Sequence, residues 1–268
     1  MIVLITIGMW LLGITLGVVA GFLALRGRAV KPVLSWLVGG TLAVVTAALL
    51  HFVVTPRVAD AWATQRARAE LLAIPVYEVL QREEPAAFGR LLAEYARVVQ
   101  DRSRIGVYTQ VANSEIGAVA TRRIAHASDP ALLGLMHDML GKLQLLRARA
   151  PEDCYRYLFP QVAGAPDTAR YFDRASQERT LSLMAEVIRS AAENPVPVPG
   201  KERVQGLLAP LVDAMYAQFG ASTALLSHAE EPGIDRKTVC AVSVALYEKV
   251  MALPPADAAA VIRSMTQL

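Results

Sequence analysis

The pattern of apolar and polar positions divides this chain into two unlike parts. Residues 1–25 read MIVLITIGMWLLGITLGVVAGFLAL without a charged side chain. Residues 33–54, VLSWLVGGTLAVVTAALLHFVV, are equally free of charge unless His51 takes up a proton. Between them lies the hinge Arg26-Gly27-Arg28-Ala29-Val30-Lys31-Pro32. Each apolar run exceeds the roughly 20 residues a helix needs to cross a bilayer. The pattern therefore predicts a transmembrane hairpin over residues 1–54, with spans at about 1–25 and 33–54.

From residue 55 onward, apolar residues recur at helical spacing. Thr55-Pro56 is a start signal, an N-cap followed by proline at the first helical position. It opens a helix over 56–74 that Pro75 kinks or ends. Glu84-Pro85 opens another, with Phe88, Leu91, Leu92, Tyr95, Val98 and Val99 as its apolar face. A third follows over 104–125, with Ile105, Tyr108, Ala112, Ile116 and Val119 on one side. Asp129-Pro130 reads as an N-cap and first turn. It leads into the stripe Leu132, Leu133, Met136, Met139, Leu140, Leu143 and Leu146.

A short segment runs over 152–159, and 161–166 reads as a loop. Asp167 is the expected cap of a helix that ends near Glu193. The prolines at 195, 197 and 199 impose an extended strut. Helix 201–219 carries Val204, Leu207, Leu208, Leu211, Val212, Met215 and Phe219 in register, with Pro210 inside it and Gly220 as its stop. After a loop around His228, Asp235 caps a helix to about Leu253, with Ile234 and Val239 as a hydrophobic staple. Pro254-Pro255 precedes a last helix. No stretch sustains a period of two. The expected fold class is all-α: the two-span hairpin, then an irregular multi-helix soluble bundle over 55–268, with 194–200 a candidate internal boundary.

Charge sharpens this picture. The hinge holds three bases and accounts for the whole net charge of +3; beyond it, basic and acidic residues balance. A neutral body gives no electrostatic reason to bind nucleic acid. Basic loops stay cytoplasmic, so the hinge is expected inside and the body outside. In a bacterium, that means an inner-membrane protein with a periplasmic domain. The bilayer is then one partner. Gly13, Gly17 and Gly21 recur every four residues, as do Gly39, Ala43 and Ala47. Small residues at that spacing let helices approach closely in lipid. They are candidates for packing the hairpin on itself, or for homo-oligomerisation through the glycine face.

Candidate chemistry is sparse. Cys154 and Cys240 are the two cysteines of the chain, and in an oxidising compartment they are a candidate disulfide. His126, Asp129, His137 and Asp138 form the compact His/Asp grouping, more readily read as solvated surface than as a site. His228 stands without a partner pattern. No nucleotide-loop, serine-hydrolase, zinc-protease or C-x-x-C motif occurs, and no catalytic, cofactor-binding or metal-ligating residue is assigned. Tyr155, Arg156, Tyr157, Phe159, Tyr171 and Phe172 concentrate aromatic and Arg side chains, the usual material of binding hot spots. They are the candidate partner surface. The expected function is a membrane-anchored, non-enzymatic protein–protein interaction module outside the cytoplasm, an envelope-assembly component or an immunity-type inhibitor. Alternatives are an enzyme or small-ligand receptor with a pocket lined by His126, His137 or Asp138, and a membrane sensor.

Overall fold

The computed structural model describes residues 41, 44–46, 48, 52 and 55–265. Most of the expected hairpin, including Gly13, Gly17, Gly21, Gly39, Ala43 and Ala47, lies outside the described residues. Among those described, every regular element is helical and none is a strand. No helix among them is long and apolar enough to cross a membrane.

The helices are α1 (Thr55–Leu72), α2 (Pro75–Glu83), α3 (Pro85–Gln100), α4 (Ile105–Ile124), α5 (Asp129–Arg149), α6 (Pro151–Leu158), α7 (Pro160–Ala163), α8 (Arg174–Glu193), α9 (Lys201–Phe219), α10 (Arg236–Met251) and α11 (Pro255–Met265). Among the described residues they form two compact units, one of α1 as far as Leu71 with Leu92–Tyr108, and one of Leu72–Leu91 with the chain from Thr109 onward. The proline-rich strut lies within the second.

In the first unit, α1 buries Ala63, Ala67 and Leu71 at intervals of four, one face of a helix. Tyr95 donates to Glu70 at 2.8 Å and Gln100 to Asp60 at 2.8 Å, so α3 runs antiparallel to α1. Between α3 and α4, Asp101 accepts from the Ser103 amide and caps a single 3₁₀ turn. Tyr108 then packs its ring 4.8 Å from that of Tyr95. Ile105, expected on the buried side of α4, is exposed instead, because it is the first residue after that turn.

The second unit is built on α5, whose Leu132, Leu135, Met136, Leu140, Leu143 and Leu146 are all buried. Its first half packs against Leu211 of α9, Val250 of α10 and Val261 and Ile262 of α11. Its second half meets Cys154, Phe172, Cys240 and Val244. Ala127, Ala131 and Leu135 meet Val187 and Ala191 of α8. The strut is pinned in place: the Val196 amide donates to the His126 carbonyl at 2.9 Å, and Nδ1 of His126 faces the Val196 carbonyl at 3.1 Å.

Four local expectations are corrected. Asp129 is not the cap of α5; Ser128 occupies that position, and Asp129 instead accepts from Arg263. Asp173 caps α8 by accepting from the Ser176 amide at 2.8 Å, while Asp167 merely precedes a 3₁₀ turn over Thr168–Arg170. The segments read as loops contain α7 and a 3₁₀ helix over Gly220–His228. Val212 is exposed rather than in the α9 core stripe, which is carried by Val204, Leu211 and Met215. By contrast, Asp235 caps α10 by accepting from the Lys237 and Thr238 amides, and Ile234 packs with Val239 as a staple does.

Candidate functional site

The expected partner surface falls on α6 and on the segment leading into α8; Tyr155 and Phe172 are buried, and Arg156, Tyr157, Phe159 and Tyr171 are half-buried. Tyr155 is fully buried. Its hydroxyl donates to the Ala229 carbonyl at 2.8 Å, its ring lies 5.1 Å from that of Phe159, and the Arg236 guanidinium sits over it at 5.0 Å. Phe172 is also buried, with the Tyr157 and Tyr171 rings at 6.1 and 6.4 Å. Neither Tyr155 nor Phe172 offers a ring to a partner. Phe159, Tyr157 and Tyr171 are half-buried.

Arg156 is committed internally as well. Its Nε donates to the carbonyls of Ala163 and Gly164, its Nη2 to that of Ala165, and its Nη1 to Asp153 at 3.1 Å. The chain turns past the guanidinium at Gly164 with φ 72° and ψ 148°, a conformation open essentially to glycine. Asp153 also accepts from the Tyr171 hydroxyl at 2.5 Å, which holds that phenol above its ordinary pKa.

Cys154 of α6 and Cys240 of α10 are joined by a disulfide, with Cα atoms 5.9 Å apart. The bond is wholly buried against Leu143, Leu146, Phe172 and Val244.

Behind this cluster lies an ion pair that sequence reasoning missed. Lys142 and Asp138, one helical turn apart on α5, have side chains only 8% and 9% exposed. The Lys142 ammonium donates to Asp138 at 2.8 Å, to the Ser176 carbonyl at 3.3 Å and to the Thr180 hydroxyl. Thr180 in turn donates to Asp138 at 2.7 Å. The Phe172 ring covers the ammonium at 5.4 Å. Burial, and secondarily the Asp138 charge, push the Tyr157 phenol up to about 12. The available signal was positional: Asp138 and Lys142 stand in helical register with Leu135 and Leu146, both buried.

The remaining polar candidates do not converge. His126 is held by Val196, Asp129 by Arg263, and Asp138 by Lys142 and Thr180. His137 is exposed, and His228 faces Glu231 at 2.7 Å on the surface. Arg263, itself buried, donates to the Ala127 carbonyl at 2.6 Å and to Asp129 at 2.5 Å, tying α11 to the start of α5. Among the described residues, no group of three or more His, Cys, Asp or Glu is placed to hold a metal ion.

Chemically, this arrangement fastens helices together. The ammonium has three acceptors for its three hydrogens, and the sulfurs are bonded to each other. What faces outward and apolar in this unit is Val162 on α7, with Val212 and Tyr216 four residues apart on α9. The chain matches no protein-family model, no characterised protein and no solved structure.

Proposed function

We propose that this chain is a membrane-anchored, non-enzymatic helical module that binds a partner protein on the extracytoplasmic side, in the manner of an envelope-assembly component or a protective inhibitor. The Cys154–Cys240 bond carries this reading, because disulfides persist in oxidising compartments. The two uncharged N-terminal stretches support the anchor, and the basic hinge between them supports the body's placement outside. The interior polar groups are spent on helix-to-helix pairing, so recognition falls to the surface. Val212 and Tyr216 form an exposed apolar edge on α9, and Tyr is among the residues that dominate binding hot spots.

The test uses the full chain in its native membrane, with a photo-crosslinking side chain at Val212 or Tyr216 and alkylation without reductant. The reading expects a discrete crosslinked species at these positions, none at exposed Arg174 on α8, and no alkylated cysteine. Two alkylated cysteines together with uniform absence of crosslinks would overturn it.

A further inference from the structure

The first unit exposes several apolar side chains toward one end, and their level along the unit is set by the pairing of α1 with α3. The Gln100–Asp60 bond sets the end of α3 level with the second turn of α1. The 3₁₀ turn and the first residues of α4 follow directly, so they stand at the same end. That end adjoins Thr55, where the apolar run over 33–54 gives way to α1. Ile105 and Val107 on α4 are 49% and 50% exposed, and Val58 on α1 is 47% exposed. Arg57 is exposed next to Val58 in the sequence. Just upstream, Val44, Val45 and Phe52 are exposed too.

We infer that Val58, Ile105 and Val107 form a second, shallow contact with the bilayer surface, at the level of the lipid headgroups. This rests on the reading of residues 1–54 as an anchor. Asp60 lies five residues into α1, roughly 8 Å of helix rise. The headgroup layer is roughly 5–7 Å deep on each face of a bilayer. Side chains at this level lie within reach of that layer. Aliphatic side chains gain from leaving water there, and Arg57 suits anionic headgroups. The contact would fix the tilt of this unit on the membrane, which a single chain crossing at residue 55 does not.

Spin labels on the full chain test this in phosphatidylcholine vesicles containing phosphatidylglycerol. Val107→Cys, Ile105→Cys, Ala69→Cys and Ala47→Cys each supply one free thiol, since Cys154 and Cys240 are bonded. Collision with oxygen, which partitions into lipid, is compared with collision with a polar nickel chelate. The expected oxygen-to-nickel ratio is highest at 47, and several-fold higher at 105 and 107 than at exposed Ala69, which lies further along α1. A high ratio at 47 with 105 and 107 equal to 69 would overturn the second contact and leave the anchor standing. A low ratio at 47 would overturn the anchor and this inference with it.

Discussion

Replacing Asp138 with Ala removes the countercharge from an ammonium whose side chain is 8% exposed. The variant retains the Ser176 carbonyl and the Thr180 hydroxyl as acceptors, but both are neutral. Breaking a buried ion pair by deleting one partner costs about 3–5 kcal/mol, because the surviving charge stays buried without compensation. Were the pair an ordinary surface i,i+4 contact, the loss would be about 0.3–0.5 kcal/mol. The two readings thus differ by roughly tenfold in energy. Urea unfolding of the full chain in mild detergent, followed by helical circular dichroism, measures the difference. With a slope of about 1–3 kcal/mol/M, the buried pair implies a midpoint lowered by more than ~1 M. The double variant Asp138→Leu with Lys142→Met should recover most of the loss, since apolar replacement of both partners is often neutral or stabilising. A loss below ~0.5 kcal/mol for Asp138→Ala, or a double variant no better than the single, would refute the assignment of this pair as the buried clamp between α5 and α8.

Three further outcomes follow from the same interior. Reducing the Cys154–Cys240 bond, whose cysteines are 86 residues apart, should cost about 3–4.5 kcal/mol of stability by loop entropy, read as a lowered urea midpoint; an unchanged midpoint would contradict it. Tyr157, raised by burial to about 12 against an ordinary value near 10, keeps its proton longer folded than unfolded. Stability from this group is therefore complete below pH ~10 and falls by about 2–3 kcal/mol as pH climbs to ~12, a loss Tyr157→Phe should abolish in alkaline unfolding curves. Arg263→Ala removes both bonds from α11 to the start of α5 and should cost about 2–3 kcal/mol, with Arg263→Lys retaining part; equal stability of all three proteins would exclude the tie.

The sequence was most legible where the cause of a structure is local. Asp235 announces α10 because its carboxylate needs only the amides two and three residues on. The α5 stripe is equally plain, since one helix supplies all its members. Asp129 offers the same local signal but does not cap α5, because a stronger partner, Arg263, arrives from 134 residues away. Asp138 and Lys142 resemble a solvated i,i+4 pair until α8 brings Thr180 and the Phe172 ring covers the amine. The aromatic segment shows the same limit: its composition suits a binding surface, yet Ala229 and Arg236 come from distant elements to close over Tyr155. The 3₁₀ helix over Gly220–His228 lacks the apolar period that marks an α-helix, so nothing in the spacing separated it from a loop.

The claim on which the functional reading stands is that residues 1–54 hold the helical body in a bilayer, on the face opposite the basic hinge. Protease added to sealed right-side-out membrane vesicles carrying the full chain tests it directly. The account predicts that the body is digested from outside without lysis, leaving a membrane-bound N-terminal fragment of about the length of the two apolar runs. A body that stays intact until the vesicles are opened, or a chain recovered in the supernatant before protease is added, would contradict it.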